Sequence, residues 1–326
     1  MPKNRYYDGP PSDHFDGRFF NTAPQTPDKT FADMRKWRST SKRTPWPAHV
    51  PVQTTVPDAR VTGARITLIG HATVLIQIAG LNLLTDPVFS ERCSPVPFAG
   101  PKRVCAPGIR FEDLPPIDAV LLSHNHYDHL DAASLRKLVR HHDPLIVTPL
   151  GNDTIVRRKV PKARIVTGDW WDTHQFGGAT ITFIPAQHWS ARGLNDRRMA
   201  LWCGFHIRAS AGAVYFAGDT GYGDGTLFMT IRERLGSPDV ALLPIGAYAP
   251  RWFMADQHTD PAQTVQILRD LDAKQALAIH WGVFPLSDEG RDDPVVELRL
   301  ALADQGIEDG RFRYDEPGSV LDLASN

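Results

Sequence analysis

The chain has little cysteine: Cys93, Cys105 and Cys203 are the only three in 326 residues, and none sits in a CxxC pair. That scarcity argues against a disulfide framework and a thiolate zinc cage, and leaves ordinary buried thiols. An excess of either charge is also missing, since 36 basic residues face 37 acidic ones for a formal charge of −1. No overall field draws in nucleic acid or an anionic membrane surface, and no basic stripe suggests nucleic-acid processing. Long apolar runs are absent as well. The opening MPKNRYYDGPPSDHFDGRFF has no signal-peptide core, and no stretch reaches the roughly 18 apolar residues of a spanning helix. A cytoplasmic location is the default expectation. With 42% hydrophobic residues, the chain is long enough for a large buried core.

What is present divides into two textures. Residues 1–60 are rich in proline, glycine and charge, and their PP, TP, TPWP and VP steps favour extended or turn backbone. Phe15, Phe19, Phe20, Phe31, Trp37 and Trp46 are too many aromatics for a free tail, so this extension is expected to lie across the main domain at 61–326. From Arg65 onward, short apolar runs bounded by turns read as strands: ARITLIG, ATVLIQIAG, LNLLTDP, AVLLSH, LIVTP, ATITFIPA, AVYFAGD, VALLPIG and ALAIHW. Helical spacing falls at 131–141, 225–235, 261–271 and 294–303. Early hairpin-like strands followed by strand and helix alternation predict a layered α/β fold, with face-to-face sheets and helices outside.

The strongest chemical signal is Ser123-His124-Asn125-His126-Tyr127-Asp128-His129-Leu130-Asp131, directly after the apolar run 119–122. A strand end followed by a turn splays such side chains, so His124 and His126 can face one metal while Asp128 and His129 face a second. Packing these four groups together without a cation would carry a desolvation cost. His188, Asp219 and His280 each follow a later apolar run and can converge on the same rim. Alone, each reads more often as a satisfied core histidine or a turn aspartate. With the cluster, the set closes: His124, His126 and His188 for one metal, Asp128, His129 and His280 for the other, and Asp219 as a shared carboxylate. Each ion would keep open coordination for catalysis.

SHNHYDHLD resembles the HxHxDH signature of the metallo-β-lactamase superfamily, and His188, Asp219 and His280 follow in that superfamily's order. The implied fold is the four-layer αββα sandwich. LLTDPVFSERCSP, GPKRV, PAQHWSAR, FAGDTGY, PIGAYAPRWFM, QHTDP and IHWG further resemble the branch of N-acylphosphatidylethanolamine-hydrolysing phospholipases D and their bacterial relatives. The resemblance implies two Zn²⁺ per chain and a phosphodiesterase of phospholipase D type, acting through a hydroxide held between the metals, with Asp128 among its catalytic groups. The products implied are a phosphatidic acid and an N-acylethanolamine. By string match, His258 is the substrate-site histidine, a proton donor or a donor to a phosphate oxygen, with a polar loop before Pro261 as the bland alternative.

Gln257 and Tyr127 are further substrate-binding candidates, although Tyr127 can equally pack beneath its loop. Asp86 reads either as an acceptor that orients a ligand or as a plain turn aspartate before Pro87. His71 is expected to be structural. Trp170–Trp171 and Trp252–Phe253–Met254 are alternatives between an acyl-chain surface and lid or core packing. Peripheral membrane contact would have to come from loops or from the extension, and the resemblance suggests a homodimer.

Two other function classes stay open. The same constellation can hydrolyse a lactone or an amide, or belong to a non-hydrolytic metalloprotein. Against a di-iron redox module, such centres on this fold resemble a pattern with a carboxylate where this chain has His126, and three neutral imidazoles suit Zn²⁺.

Overall fold

A computed structural model describes residues 4–22, 28–308 and 310–323. Two seven-stranded sheets dominate. The first runs, edge to edge, through Val320–Leu323, Ala64–Gly70, Thr73–Ile78, Leu81–Thr85, Ala119–Leu121, Leu145–Pro149 and Arg164–Gly168. The second runs through Phe312–Arg313, Gln275–Ile279, Val240–Pro244, Gly212–Phe216, Gly204–Ala209, Ala179–Ile184 and Thr173–Phe176. Each begins with antiparallel hairpins and changes to parallel pairing, at 83–85 against 119–121 across a long loop with one 3-10 turn, and at 214–216 against 240–242 across the helix Thr226–Leu235.

Why the strands read as nearly continuous apolar runs follows from their burial on both faces. Along Ala119–Leu121 and the residue after it, Ala119 and Leu121 enter the cluster between the sheets, whereas Val120 and Leu122 enter the cluster beneath the outer helices. Ala132–His141 and Asn152–Lys159 cover the first sheet; Thr226–Leu235, Pro261–Asp270 and Asp293–Asp304 cover the second. The result is the four-layer αββα sandwich.

The extension departs from an all-extended reading. Phe31–Thr40 is a helix, started by a capping box in which Thr30 and Asp33 satisfy each other's backbone N–H groups. None of its residues is buried, and Phe31 is 79% exposed, so that aromatic does not pack on the sandwich as expected. Trp37 does, packing its ring against Phe253 in a tilted pair with centroids 4.7 Å apart and donating to Asp288 at 3.0 Å. Elsewhere Phe19 is fully buried, Tyr6 donates to Asp196 at 2.8 Å and Trp46 donates to the Glu289 carbonyl at 2.9 Å. Among the described residues, no helix is long and apolar enough to cross a membrane.

Candidate metal centre

Strand ends build the site. Leu81–Thr85 delivers Asp86, Ala119–Leu121 delivers the His124–His129 loop, Ala179–Ile184 leads to His188, Gly212–Phe216 to Asp219, and Gln275–Ile279 to His280. The turns are tight. Asp86, His71 and His280 have φ of 32°, 57° and 61°, backbone that non-glycine residues adopt only when their surroundings enforce it. At Gly246 a Cβ would stand 2.3 Å from the His280 carbonyl oxygen, so the backbone beside this histidine requires glycine.

Two clusters of donor atoms result. In the first, His126 Nδ1 faces His124 Nε2 at 2.9 Å and His188 Nε2 at 3.2 Å. In the second, Asp128 Oδ2 lies 3.4 Å from His129 Nε2, 3.3 Å from His280 Nε2 and 3.0 Å from His71 Nε2. Asp219 stands between them: Oδ2 is 3.6 Å from His188 Nε2 and 3.2 Å from His129 Nε2, and Oδ1 is 3.1 Å from His280 Nε2. The opposite ring nitrogens are anchored elsewhere, His124 Nδ1 on Ser123 Oγ at 2.9 Å, His129 Nδ1 on Asp86 at 2.6 Å and His188 Nδ1 on the Gln257 carbonyl at 2.9 Å. Such partners fix ring orientation and point the free nitrogen inward. His71, expected to be structural, touches Asp128 and packs against His280 with the rings tilted and their centroids 4.0 Å apart.

The donor set fits a divalent cation. Imidazole nitrogens facing one another at 2.9–3.2 Å cannot all be satisfied by protons. Donors about 2.0 Å from a tetrahedral ion lie about 3.3 Å apart, close to the spacings here. His129 Nε2 and Asp219 Oδ1 are also buried without a hydrogen-bond partner, as centre-facing donors would be.

The clusters differ in charge. Burial, reinforced by the neighbouring imidazoles, pushes His124 and His188 well below the usual histidine range, and burial takes His126 down to about 4. In the second cluster burial opposes charge but loses. The Asp219, Asp128 and Asp86 carboxylates hold His129 well above its usual range, and Asp219 and Asp128 push His280 up to about 9. Against the same penalty, His129 and its neighbours keep Asp128 and Asp219 well below the carboxylate range.

A model described as the beta-lactamase superfamily domain matches residues 81–281. The chain belongs to the metallo-β-lactamase superfamily. Its match to N-acyl-phosphatidylethanolamine-hydrolyzing phospholipase D 1 of Caenorhabditis elegans is 39% identical over 274 residues, 81% of this chain and 77% of that protein. The mitochondrial N-acyl-phosphatidylethanolamine-hydrolyzing phospholipase D of Saccharomyces cerevisiae is 33% identical over 267 residues, 80% of this chain and 56% of that protein. Among solved structures, the isothiocyanate hydrolase from Delia radicum gut bacteria superposes with a TM-score of 0.62 at 25% identity, over 80% of this chain and all (100%) of that one. This chain is thus a metal-dependent hydrolase of the superfamily, with His/Asp clusters able to bind metal.

Around the centre of this superfamily member, the remaining candidates take different places. His258 is buried with Nδ1 3.9 Å from Asp219 Oδ2, and burial lowers it to about 4, so the ring is neutral near pH 7 and keeps one N–H to donate. Gln257 meets the site through its carbonyl, which faces His188, while its side chain accepts from Trp189 Nε1. The Tyr127 hydroxyl donates to the Arg192 carbonyl at 3.1 Å, and its ring lies under the Arg192 guanidinium at 3.8 Å. Asp86 accepts from the Ser123 N–H at 2.7 Å and the Ser123 hydroxyl at 2.5 Å as well as facing His129. Ser123, Trp189 and Arg192 carry these contacts without having stood out in the sequence. Trp189 is foreseeable from its place beside His188, since its ring reaches His126 at 4.5 Å.

Proposed function

We propose that the chain is a dinuclear zinc phosphodiesterase of phospholipase D type, cleaving N-acylphosphatidylethanolamine or a related glycerophosphodiester to a phosphatidic acid and an N-acylethanolamine. The observation carrying this reading is the pair of donor clusters joined by Asp219, in a chain 39% identical to a protein named for that reaction. Three imidazoles without thiolate in one cluster, and imidazole with carboxylate in the other, suit Zn²⁺. Ions held there would supply Lewis acidity to a phosphoryl oxygen and an activated water.

The chain's own groups divide the remaining work. His124, His126, His188, Asp128, His129 and His280 hold the donor geometry, and Asp219 couples the two halves. Asp86 orients His129 directly and reaches His124 through Ser123. Hydrolysis forms a P–O bond from water and breaks the P–O bond to the alcohol, whose oxygen must gain a proton. The attacking water loses the proton that the alcohol gains; neutral His258, 3.9 Å from Asp219, donates an N–H hydrogen bond to a phosphate oxygen or to the departing oxygen. Trp252, 40% exposed beside buried Phe253, offers an apolar approach for an acyl chain.

The test couples elemental analysis to product release from N-acylated phosphatidylethanolamine and from a simple aryl phosphodiester. About two Zn per chain with N-acylethanolamine release supports the reading. Turnover of the simple diester alone keeps the mechanism and discards the lipid; no metal overturns both. The 25% identity to an isothiocyanate hydrolase favours a second reading, hydrolysis of an electrophile without phosphorus. It requires turnover of a lactone, amide or isothiocyanate by a protein inert toward both diesters.

A further inference from the structure

The N-terminal segment reaches the main chain of one of the clustered histidines. Asn21 lies two residues beyond Phe19, whose ring is fully buried and whose N–H donates to the Arg198 carbonyl at 2.8 Å. From that anchor the Asn21 amide spans the His188 backbone. Nδ2 donates to the His188 carbonyl at 3.0 Å, and Oδ1 accepts from the His188 N–H at 3.3 Å and from Trp202 Nε1 at 3.1 Å. His188 lies beyond the end of its strand at Ile184, and among the described residues no main-chain group pairs with its N–H or C=O. One side chain therefore does for His188 what a neighbouring strand would do.

We propose that Asn21 is a positioning residue of the metal centre: by holding the His188 backbone at both polar groups, it aims Nε2 at the point shared with His124 and His126. The inference rests on the two-metal reading above. The Gln257 carbonyl fixes the ring from the other side, so His188 is constrained at backbone and ring by two segments distant in sequence. Lys29 pairs with Asp256 at 2.9 Å, which ties the N-terminal region to the turn carrying Gln257 as well. On this account the extension completes the site, and does more than cover it. The rival account is that Asn21 only fastens the segment, as Phe19 does.

The full-length protein, loaded with Zn²⁺ or Co²⁺, distinguishes them through chelator competition for each bound ion and through the Tm of the metal-free form. Asn21→Ala is expected to weaken one ion about 10–100-fold, change its Co²⁺ absorption and leave the other ion as in wild type. Asn21→Asp keeps the acceptor and loses the donor, so its selective loss is smaller; it carries the test should Asn21→Ala fail to fold. Phe19→Leu is expected to lower the Tm while leaving both affinities intact. Wild-type affinities in the tested Asn21 variant, or the same selective loss in Phe19→Leu, would overturn the proposal alone. A wild-type protein that binds no metal would overturn the two-metal reading and this inference with it.

Discussion

The two halves of the candidate centre use the same side-chain chemistry in different proportion. His124, His126 and His188 face each other with Asp219 beside them and Asp128 acting on His126, whereas His129 and His280 are surrounded by Asp128, Asp219 and, behind His129, Asp86. Without a cation the first group stays neutral, because desolvation governs isolated imidazoles. The second holds His129 and His280 above their usual range, because buried carboxylates require positive charge nearby, while burial takes the third imidazole, His71, down to about 3. A pocket of imidazoles can stand empty at little electrostatic cost; a pocket of carboxylates cannot. The asymmetry predicts that the halves depend differently on metal, although Asp219 belongs to both.

Removing the shared group is the most severe way to break the comparison. Asp219→Ala is expected to lose metal from both clusters and to lower diester hydrolysis on the order of a thousandfold or more. Full metal retention, read by elemental analysis, would show that the halves are independent. The next pair sharpens the difference. His188→Ala and His280→Ala should each cost one ion per chain, but in chelator His280→Ala should be the less stable. It leaves Asp128 and Asp219 buried with one partner fewer, a defect of about 3 kcal/mol by analogy with broken buried ion pairs. Equal denaturation midpoints for the two metal-free variants would contradict the charge argument. His258→Ala should then lower kcat about 100-fold while both ions stay bound, since its Nδ1 lies 3.9 Å from Asp219 Oδ2, wider than the 2.9–3.4 Å contacts that link the imidazoles and Asp128 within the two clusters. Metal loss in that variant would move His258 into the ligand set, and an unchanged kcat would remove it from the reaction.

How far the sequence discloses these halves depends on distance along the chain. His124, His126, Asp128 and His129 occupy one loop after an apolar strand, so their convergence is legible from spacing alone. His188, Asp219 and His280 become legible only in combination, each at the end of a readable strand. Asn21 is not legible: it meets His188 across 167 residues, and nothing near it marks a functional position. Among the elements, Leu145–Pro149 is a plain apolar run, but Gly204–Ala209 mixes Gly, His and Arg into its pattern and was not foreseen as a strand. Its His206 is buried in the sheet, so side-chain type alone misrepresents burial there. The Phe31–Thr40 helix is a different kind of omission. Its capping box is visible in Thr30-Phe31-Ala32-Asp33, yet the surrounding prolines argue for extended chain.

Asp86→Asn is the mildest probe and tests whether the carboxylate-rich half is supported separately. One carboxylate accepts three hydrogen bonds, from the Ser123 N–H, the Ser123 hydroxyl and the His129 Nδ1–H, and Ser123 in turn contacts His124. An amide of the same shape keeps one acceptor oxygen and presents an N–H to at least one of those donors, so the strain falls on whichever contact yields first. The Ser123 hydroxyl can rotate and the backbone N–H cannot, which leaves His129 exposed to the change. Metal affinity of the Asp128–His129–His280 group should fall about 10-fold, within the range for partners that orient a ligand, and the three-imidazole group should change less. Equal weakening of both ions in chelator titration would mean that Ser123 transmits the loss to His124, making Asp86 a common support of the two halves.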